Sequence, residues 1–256
     1  MLLKDKVALV TGITNDRSIA YFIAKSYSEN GAKVILSYQG ERLKESLEKI
    51  GESIGAAYIV ECDATNEEDL DKLFSSIDQK FGGLDIFIHA IAFANKSELA
   101  GGITNSTREG FKLAMDISAF TLISMSKKAI PFMEKRGGGS IITLTYIGST
   151  LALPAYNSMG VAKAALESSV RYLALECGEK NIRVNAISPG PIRTVAARSI
   201  PGFSDMYNGF VEKSFMKKNI EGEDVSGTAL YLGSDLSKMV TGMVIFVDGG
   251  VHCAGF

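Results

Sequence analysis

The sequence predicts an α/β fold: a single domain built on a doubly wound parallel sheet with helices on both faces. Three observations predict it. Seven apolar runs rich in Val, Ile and Leu recur along the chain without polar alternation, as strands covered on both faces require. Patterns with helical spacing lie between those runs from start to finish. No repeat, low-complexity tract or linker interrupts the alternation, and 256 residues suffice to bury one sizeable core.

The elements follow in order. "KVALVTG" (6–12) reads as the first strand and "SIAYFIAKSYSENG" (18–31) as its helix, opening on a capping serine and closing on glycine. "AKVILSY" (32–38) and "AYIVECD" (57–63) are the second and third strands. "NEEDLDKLFSSIDQKFG" (66–82) carries acidic residues in its first turn, where the helix dipole favours them, and apolar residues at helical spacing. "LDIFIHAIA" (84–92) and "GSIITLTY" (139–146) are the next strands, and "YNSMGVAKAALESSVRYLALECGEKN" (156–181) is a long helix. "IRVNAISPG" (182–190) and "GMVIFVDGG" (242–250) complete the sheet. Residues 93–110 and 189–210 read as long loops or short helices, and each directly follows a strand. Open α/β sheets bind ligands beyond the carboxyl ends of their strands, so both stretches are candidate site-forming segments.

Composition excludes several classes. The net charge is −2, and the only basic cluster, "KSFMKKN" (213–219), reads as a solvated face, so no nucleic-acid partner is expected. No apolar run approaches the ~18 residues of a membrane span. The N-terminus lacks the features of a signal peptide, so a cytoplasmic protein is expected. Cys62, Cys177 and Cys253 are odd in number and far apart, which fits a reducing compartment. His89 and His252 belong to no ligand motif, so no metal site is expected.

"VALVTGITNDRSIA" (7–20) is a strand, a glycine turn and a helix start. The common dinucleotide fingerprint places three glycines there; this chain has only Gly12, with Ser18 and Ala20 where small residues are wanted. Backbone N–H groups of Ser18 and Ile19 can still meet an anion at the helix start, and the Ser18 hydroxyl can join them. The same residues also describe an ordinary turn with a capping serine. At the end of the second strand, neutral Gln39 can bond ribose or adenine, whereas Arg42 would favour a 2′-phosphate only by turning inward; this favours NADH over NADPH. Asp63, ending the third strand, can accept from an adenine amino group or serve as a turn residue.

Tyr156 and Lys163 lie seven positions apart, nearly two helical turns, so both point to one face. An ammonium there can stabilise a phenolate or a developing oxyanion and can hold ribose hydroxyls. Tyr146, ending the fifth strand, is delivered to the same cleft, and Met159 faces it if Tyr156 does. Alone, the pattern also describes a buried tyrosine and a solvated lysine. "VAARSIPGFSDMYNGF" (195–210) brings a Pro-Gly hinge and apolar Ile200, Phe203, Met206 and Tyr207, which suits a mobile substrate loop or two short packed helices.

The stretch "TLTYIGSTLALPAYNSMGVAKAALESSVRYLA" (143–174), with "RVNAISPGPIRT" (183–194), resembles the short-chain dehydrogenase/reductase superfamily, whose fold is Rossmann-type. Within it the chain is similar to the divergent NADH-dependent enoyl-[acyl-carrier-protein] reductases of bacteria. In that branch Tyr-x6-Lys replaces Tyr-x3-Lys, and G-I-x4-SIA, as at 12–20, replaces the multi-glycine turn. "HAIAFA" (89–94), "TREGFKLAMDIS" (107–118) and "GPIRT" (190–194) extend the resemblance over essentially the whole chain. Ala90 and Pro189 depart from its frequent "HSIA" and "ISAGP".

The resemblance implies cofactor contacts at Gly12, Ser18, Ile19, Gln39, Asp63, Ala64, Ile91, Lys163, Ile192, Arg193, Thr194, Val195 and Ala196. It implies a substrate contact at Ala94 and catalytic tyrosines at Tyr146 and Tyr156. It also implies a homotetramer and an enoyl thioester carried on acyl carrier protein as substrate. Hydride would pass to the β-carbon, with Tyr156 stabilising the enolate oxygen. A carbonyl reductase, such as a 3-oxoacyl reductase, would want its lysine where Gly160 stands. A nucleotide sensor without catalysis would have no use for two tyrosines and a lysine in one cleft.

Overall fold

All seven apolar runs form strands of one parallel sheet in the computed structural model, which describes residues 1–198 and 201–255. The strands are β1 (Val7–Val10), β2 (Lys33–Tyr38), β3 (Tyr58–Glu61), β4 (Ile86–His89), β5 (Gly139–Leu144), β6 (Ile182–Pro189) and β7 (Val244–Val247). Their order across the sheet is β3-β2-β1-β4-β5-β6-β7. Each strand alternates its side chains between two cores. Val7 and Leu9 of β1 enter one core and Ala8 and Val10 the other; Phe87 of β4 and its neighbours Ile86 and Ile88 divide the same way. That double burial is why the strands read as predominantly apolar runs.

Helices close both faces. The first core is covered by α3 (Glu67–Phe81), α6 (Thr121–Glu134) and α7 (Asn157–Cys177). The second is covered by α1 (Ile19–Glu29), α2 (Glu41–Ile54) and α10 (Gly222–Gly233). Asn66 caps α3 by accepting from the Glu68 and Asp69 N–H groups, ahead of three acidic residues in the first turn. Among the described residues, no helix is long and apolar enough to cross a membrane.

The two stretches without a strand or long helix resolve into short helices. The first contains α4 (Lys96–Leu99) and the start of α5 (Arg108–Met115); the second contains α8 (Val195–Arg198) and most of α9 (Phe203–Lys213). Between α5 and α6 the helix widens into one π turn at Asp116–Phe120. The strand order reverses between β1 and β4, so the connections after them run to opposite sides and leave a crevice at the carboxyl edge. The segments after β1, β4, β5 and β6 all emerge on that edge.

Candidate active site

Tyr156 stands immediately before α7, and Lys163 lies two turns in. Both are buried. Between them, Gly160 sits against the backbone of the segment after β5: a Cβ built there would lie 2.7 Å from Gly148 O, too close for any real side chain. A Cβ on Gly148 would in turn strike the Tyr156 ring at Cδ1. The ring is therefore seated on two glycines. A lysine four positions after the tyrosine has no room, and the ammonium comes instead from the next turn on the same face.

The backbone around the tyrosine is held in an uncommon shape. Ala155 has φ 59° and Asn157 φ 37°, both in the left-handed region. Asn157 also ties the start of α7 to the segment after β4, its Nδ2 reaching the carbonyl oxygens of Glu98 (3.3 Å), Leu99 (3.4 Å) and Gly101 (3.1 Å). Residue type and spacing did not single out Asn157. Its signal is weak: an asparagine beside a candidate catalytic residue, a type that tolerates left-handed backbone.

Tyr146 and Tyr156 meet edge to face, with ring centroids 5.2 Å apart. Leu99, Met159 and Ala162 complete a small apolar cluster around them, with Ala94, Met115 and Leu153 at its margin. The structure thus brings together Tyr146, Tyr156, Ala94 and Met159. The two hydroxyls differ. Tyr146 donates to Met206 Sδ of α9 at 3.2 Å, whereas Tyr156 has no hydrogen-bond partner among the described residues. Burial pushes Tyr146 up to about 12 and Tyr156 higher still, so both are neutral donors at pH 7.

Lys163 Nζ donates to Leu144 O at 2.7 Å, which leaves two of its three N–H bonds without a partner among the described residues. Burial lowers its pKa to about 8, with the Glu167 charge pulling the other way. Beneath it, His89 is fully buried between Thr143 (Nδ1, 2.9 Å) and Thr121 (Nε2, 2.9 Å). Each threonine hydroxyl also reaches a carbonyl, Thr121 that of Ile117 (2.6 Å) and Thr143 that of His89 (3.1 Å), so the pair can serve either neutral tautomer of the ring. Burial, and then the nearby Lys163 charge, hold His89 down at about 3, which makes it a neutral strut rather than an acid or base.

The candidate nucleotide residues line the carboxyl edge. Gly12 has φ 81°, and a Cβ there would overlap Ala90 O, so the ends of β1 and β4 approach as only a glycine permits. Ser18 departs from expectation. Its Oγ accepts from Thr14 N and Asn15 N (3.1 Å each) and donates to Asn15 O (2.6 Å), while its own N–H also goes to Asn15 O (3.1 Å). It makes no cap to α1 and offers no free N–H; its groups close the 14–18 loop on itself. Ile19 is left to open the helix toward the crevice. Gln39 and Asp63 meet across the ends of β2 and β3, Nε2 to Oδ2 at 2.8 Å, with Ala64 beside them. Burial would raise the Asp63 carboxyl, but bonds from Thr65 and Gln39 outweigh it and hold it below its ordinary range. Arg42 lies exposed on α2.

After β6, Ile192 is buried against the second core, and Arg193 lies over the Tyr207 ring, 4.2 Å from its centroid. Thr194 Oγ1 accepts from Ala197 N at 3.1 Å and so starts α8, where Val195 is exposed. Phe203 is buried and packs on Tyr207 at 5.8 Å between ring centroids. Ile91 is half-buried beside the cluster of the first core. Ile200 and the Ala196 side chain lie outside the described residues.

This donor set fits a nicotinamide dinucleotide. The glycine-lined approach at Gly12 and the start of α1 would serve the phosphates, the Gln39 amide and Asp63 carboxylate would serve the adenosine, and Lys163 keeps two N–H bonds without a partner among the described residues. Comparison with known proteins agrees. Residues 12–252 match the family model described as Enoyl-(Acyl carrier protein) reductase. An enoyl-[acyl-carrier-protein] reductase [NADH] of Aquifex aeolicus is 44% identical over 254 residues, covering 99% of this chain and 94% of the relative. The crystal structure of that reductase from Aquifex aeolicus superimposes with a TM-score of 0.97 at 43% identity, covering all of both chains. A second, from Anaplasma phagocytophilum and solved with NAD, gives 0.96 at 41% identity, covering 100% of this chain and 97% of its own. The chain belongs to the enoyl-[acyl-carrier-protein] reductase family, oxidoreductases of the short-chain dehydrogenase/reductase type.

Proposed function

We propose that this chain reduces the trans-2 double bond of an enoyl thioester carried on acyl carrier protein, in fatty-acid synthesis, with Tyr156 as the group that stabilises the developing oxyanion. Bound NADH supplies the hydride that adds to the β-carbon. Negative charge then gathers on the thioester oxygen, and a donor aimed at that oxygen stabilises the transition state more than the ground state. The buried Tyr156 hydroxyl, without a hydrogen-bond partner among the described residues, is the observation that carries this reading. It is neutral and desolvated, so its hydrogen bond strengthens as charge appears.

Lys163 holds the nicotinamide ribose through the two N–H bonds that have no partner among the described residues and adds positive potential beside the oxyanion. Gly12, Ile19, Gln39, Asp63, Ala64, Ile91 and the residues Ile192 to Ala196 form the rest of the cofactor site, and Ser18 shapes its phosphate loop. Gln39, whose one side-chain hydrogen-bond partner among the described residues is Asp63, favours NADH over NADPH. Ala94, Met159 and Phe203 line the substrate side, and Ile200, outside the described residues, is assigned to substrate binding with them. Residues 195–210 act as the substrate loop of a single-domain enzyme: Met206 covers the Tyr146 hydroxyl and must leave it before a thioester is oriented there. The chain works in the cytoplasm as a homotetramer.

The test mixes purified chain with NADH and either an octenoyl or a 3-oxoacyl thioester and follows NADH absorbance. Turnover on the octenoyl thioester alone is expected; turnover on the 3-oxoacyl thioester alone refutes the reading and returns the chain to the carbonyl reductases.

A further inference from the structure

A second charge lies buried in the same helix, and the mechanism above does not use it. Glu167 is four positions after Lys163 on α7, so their side chains leave the same face one turn apart. Both are buried. The one hydrogen-bond partner of Glu167 among the described residues is the Thr145 hydroxyl, which donates to Oε1 at 2.6 Å and is itself buried. Thr145 lies between Leu144, whose carbonyl anchors Lys163, and Tyr146. A carboxylate is costly to bury unless its charge is balanced. The single hydroxyl does not balance it; the ammonium one turn away acts on it through space, with no ion-pair contact within 4 Å between the two.

We propose that Glu167 is a positioning residue of the reductase site, the buried countercharge that keeps Lys163 ready to hold a nicotinamide ribose and that, through Thr145, fixes the end of β5 against α7. One residue thereby sets two things: the charge state of the lysine and the distance between the strand that carries Tyr146 and the helix that follows Tyr156. The inference rests on the reading of Lys163 as a ribose-holding group.

The pH consequence has a definite sign. Lys163 titrates near 8, below the ordinary lysine value, because burial disfavours its charge; the Glu167 charge opposes that. NADH affinity is therefore full below this midpoint and falls as pH rises through it. The other titratable groups around the lysine do not change charge there: His89 of β4 is held at about 3, and Tyr146 and Tyr156 titrate well above it. Removing the Glu167 charge moves the midpoint down. Charges roughly 6 Å apart in a partly desolvated site shift each other by about one to two pH units.

The experiment titrates purified protein with NADH by its fluorescence, without substrate, across about pH 6 to 9.5. E167Q keeps an acceptor for Thr145 and loses the charge, so its midpoint is expected about one to two units below that of the native chain. E167D keeps the charge and restores the midpoint, and E167A gives an independent reading should E167Q be unstable. In a K163M background, E167Q is expected to leave NADH affinity unchanged. A residue that only packed α7 would weaken the K163M protein as well and would move no midpoint. A native midpoint that neither E167Q nor E167A moves overturns the proposal alone; a native chain that fails to bind NADH overturns the functional reading and the proposal with it.

Discussion

Gly160→Ala places one methyl group where the structure leaves no room. Its Cβ would stand 2.7 Å from Gly148 O, where ordinary contact begins at 3.4 Å, so that carbonyl must retreat by about 0.7 Å. Gly148 carries the Tyr156 ring on its other side, and the ring moves with it. Two effects oppose each other. Alanine in a helix interior gains about 1 kcal/mol over glycine, and overpacking at this contact costs about 1–3 kcal/mol. The net is a loss of up to about 2 kcal/mol, or up to about 8 °C in Tm for a chain of this size. Displacement of the oxyanion donor lowers kcat by about 10- to 100-fold. Gly227→Ala on α10 is the control, because nothing lies within 4 Å of its Cβ and only the helix gain remains. Thermal melts and NADH oxidation with an enoyl thioester read both variants. If Gly160→Ala raises Tm as Gly227→Ala does and keeps kcat, the seat of Tyr156 is not what fixes the lysine spacing.

Further outcomes follow from other sites. Ala155→Gly relieves a left-handed alanine, worth about 1–2 kcal/mol against roughly 0.5–1 kcal/mol of added chain freedom, so Tm is expected to rise by about 1–3 °C; a fall means that φ 59° carries no strain. Asp85 is buried at the amino edge of the sheet, where it accepts from Val7 N (2.8 Å) and pairs with Arg136 (2.9 Å) and Lys6 (3.6 Å). Asp85→Ala leaves that N–H without a partner and the Arg136 guanidinium with only the Asp5 carbonyl (3.1 Å), and is expected to cost about 2–4 kcal/mol by denaturant melts, with KM for NADH unchanged because the crevice lies at the opposite edge. A shift in that KM would show the two edges to be coupled.

The strands were legible because burial on both faces leaves few polar residues inside them, of which His89, Ser140 and Asn185 are hydrogen-bonded: Val7 to Val10 and Ile86 to Ile88 could be little else. Helical geometry allowed the tyrosine and lysine one common face, and the resemblance of the surrounding motifs to the reductase family is what made them legible as a site. Other features depend on partners distant in sequence. Ser18 sits where a cap is expected, yet its hydroxyl turns back to Thr14 and Asn15, a choice made by the loop's own closure. Asn157 finds three carbonyls more than 50 positions away, and Glu167 finds Thr145 across the sheet edge. Gly160 showed in sequence only that a lysine was missing; the backbone of Gly148 shows why it cannot be there.

Tyr156→Phe tests the central claim most directly. It removes one oxygen from a seated ring and leaves the packing intact. Single-turnover reduction of an enoyl thioester by NADH is expected to slow by about 10²- to 10³-fold, while the NADH Kd stays within about two-fold. A variant that reduces the enoyl thioester at the native rate would contradict Tyr156 as the oxyanion donor.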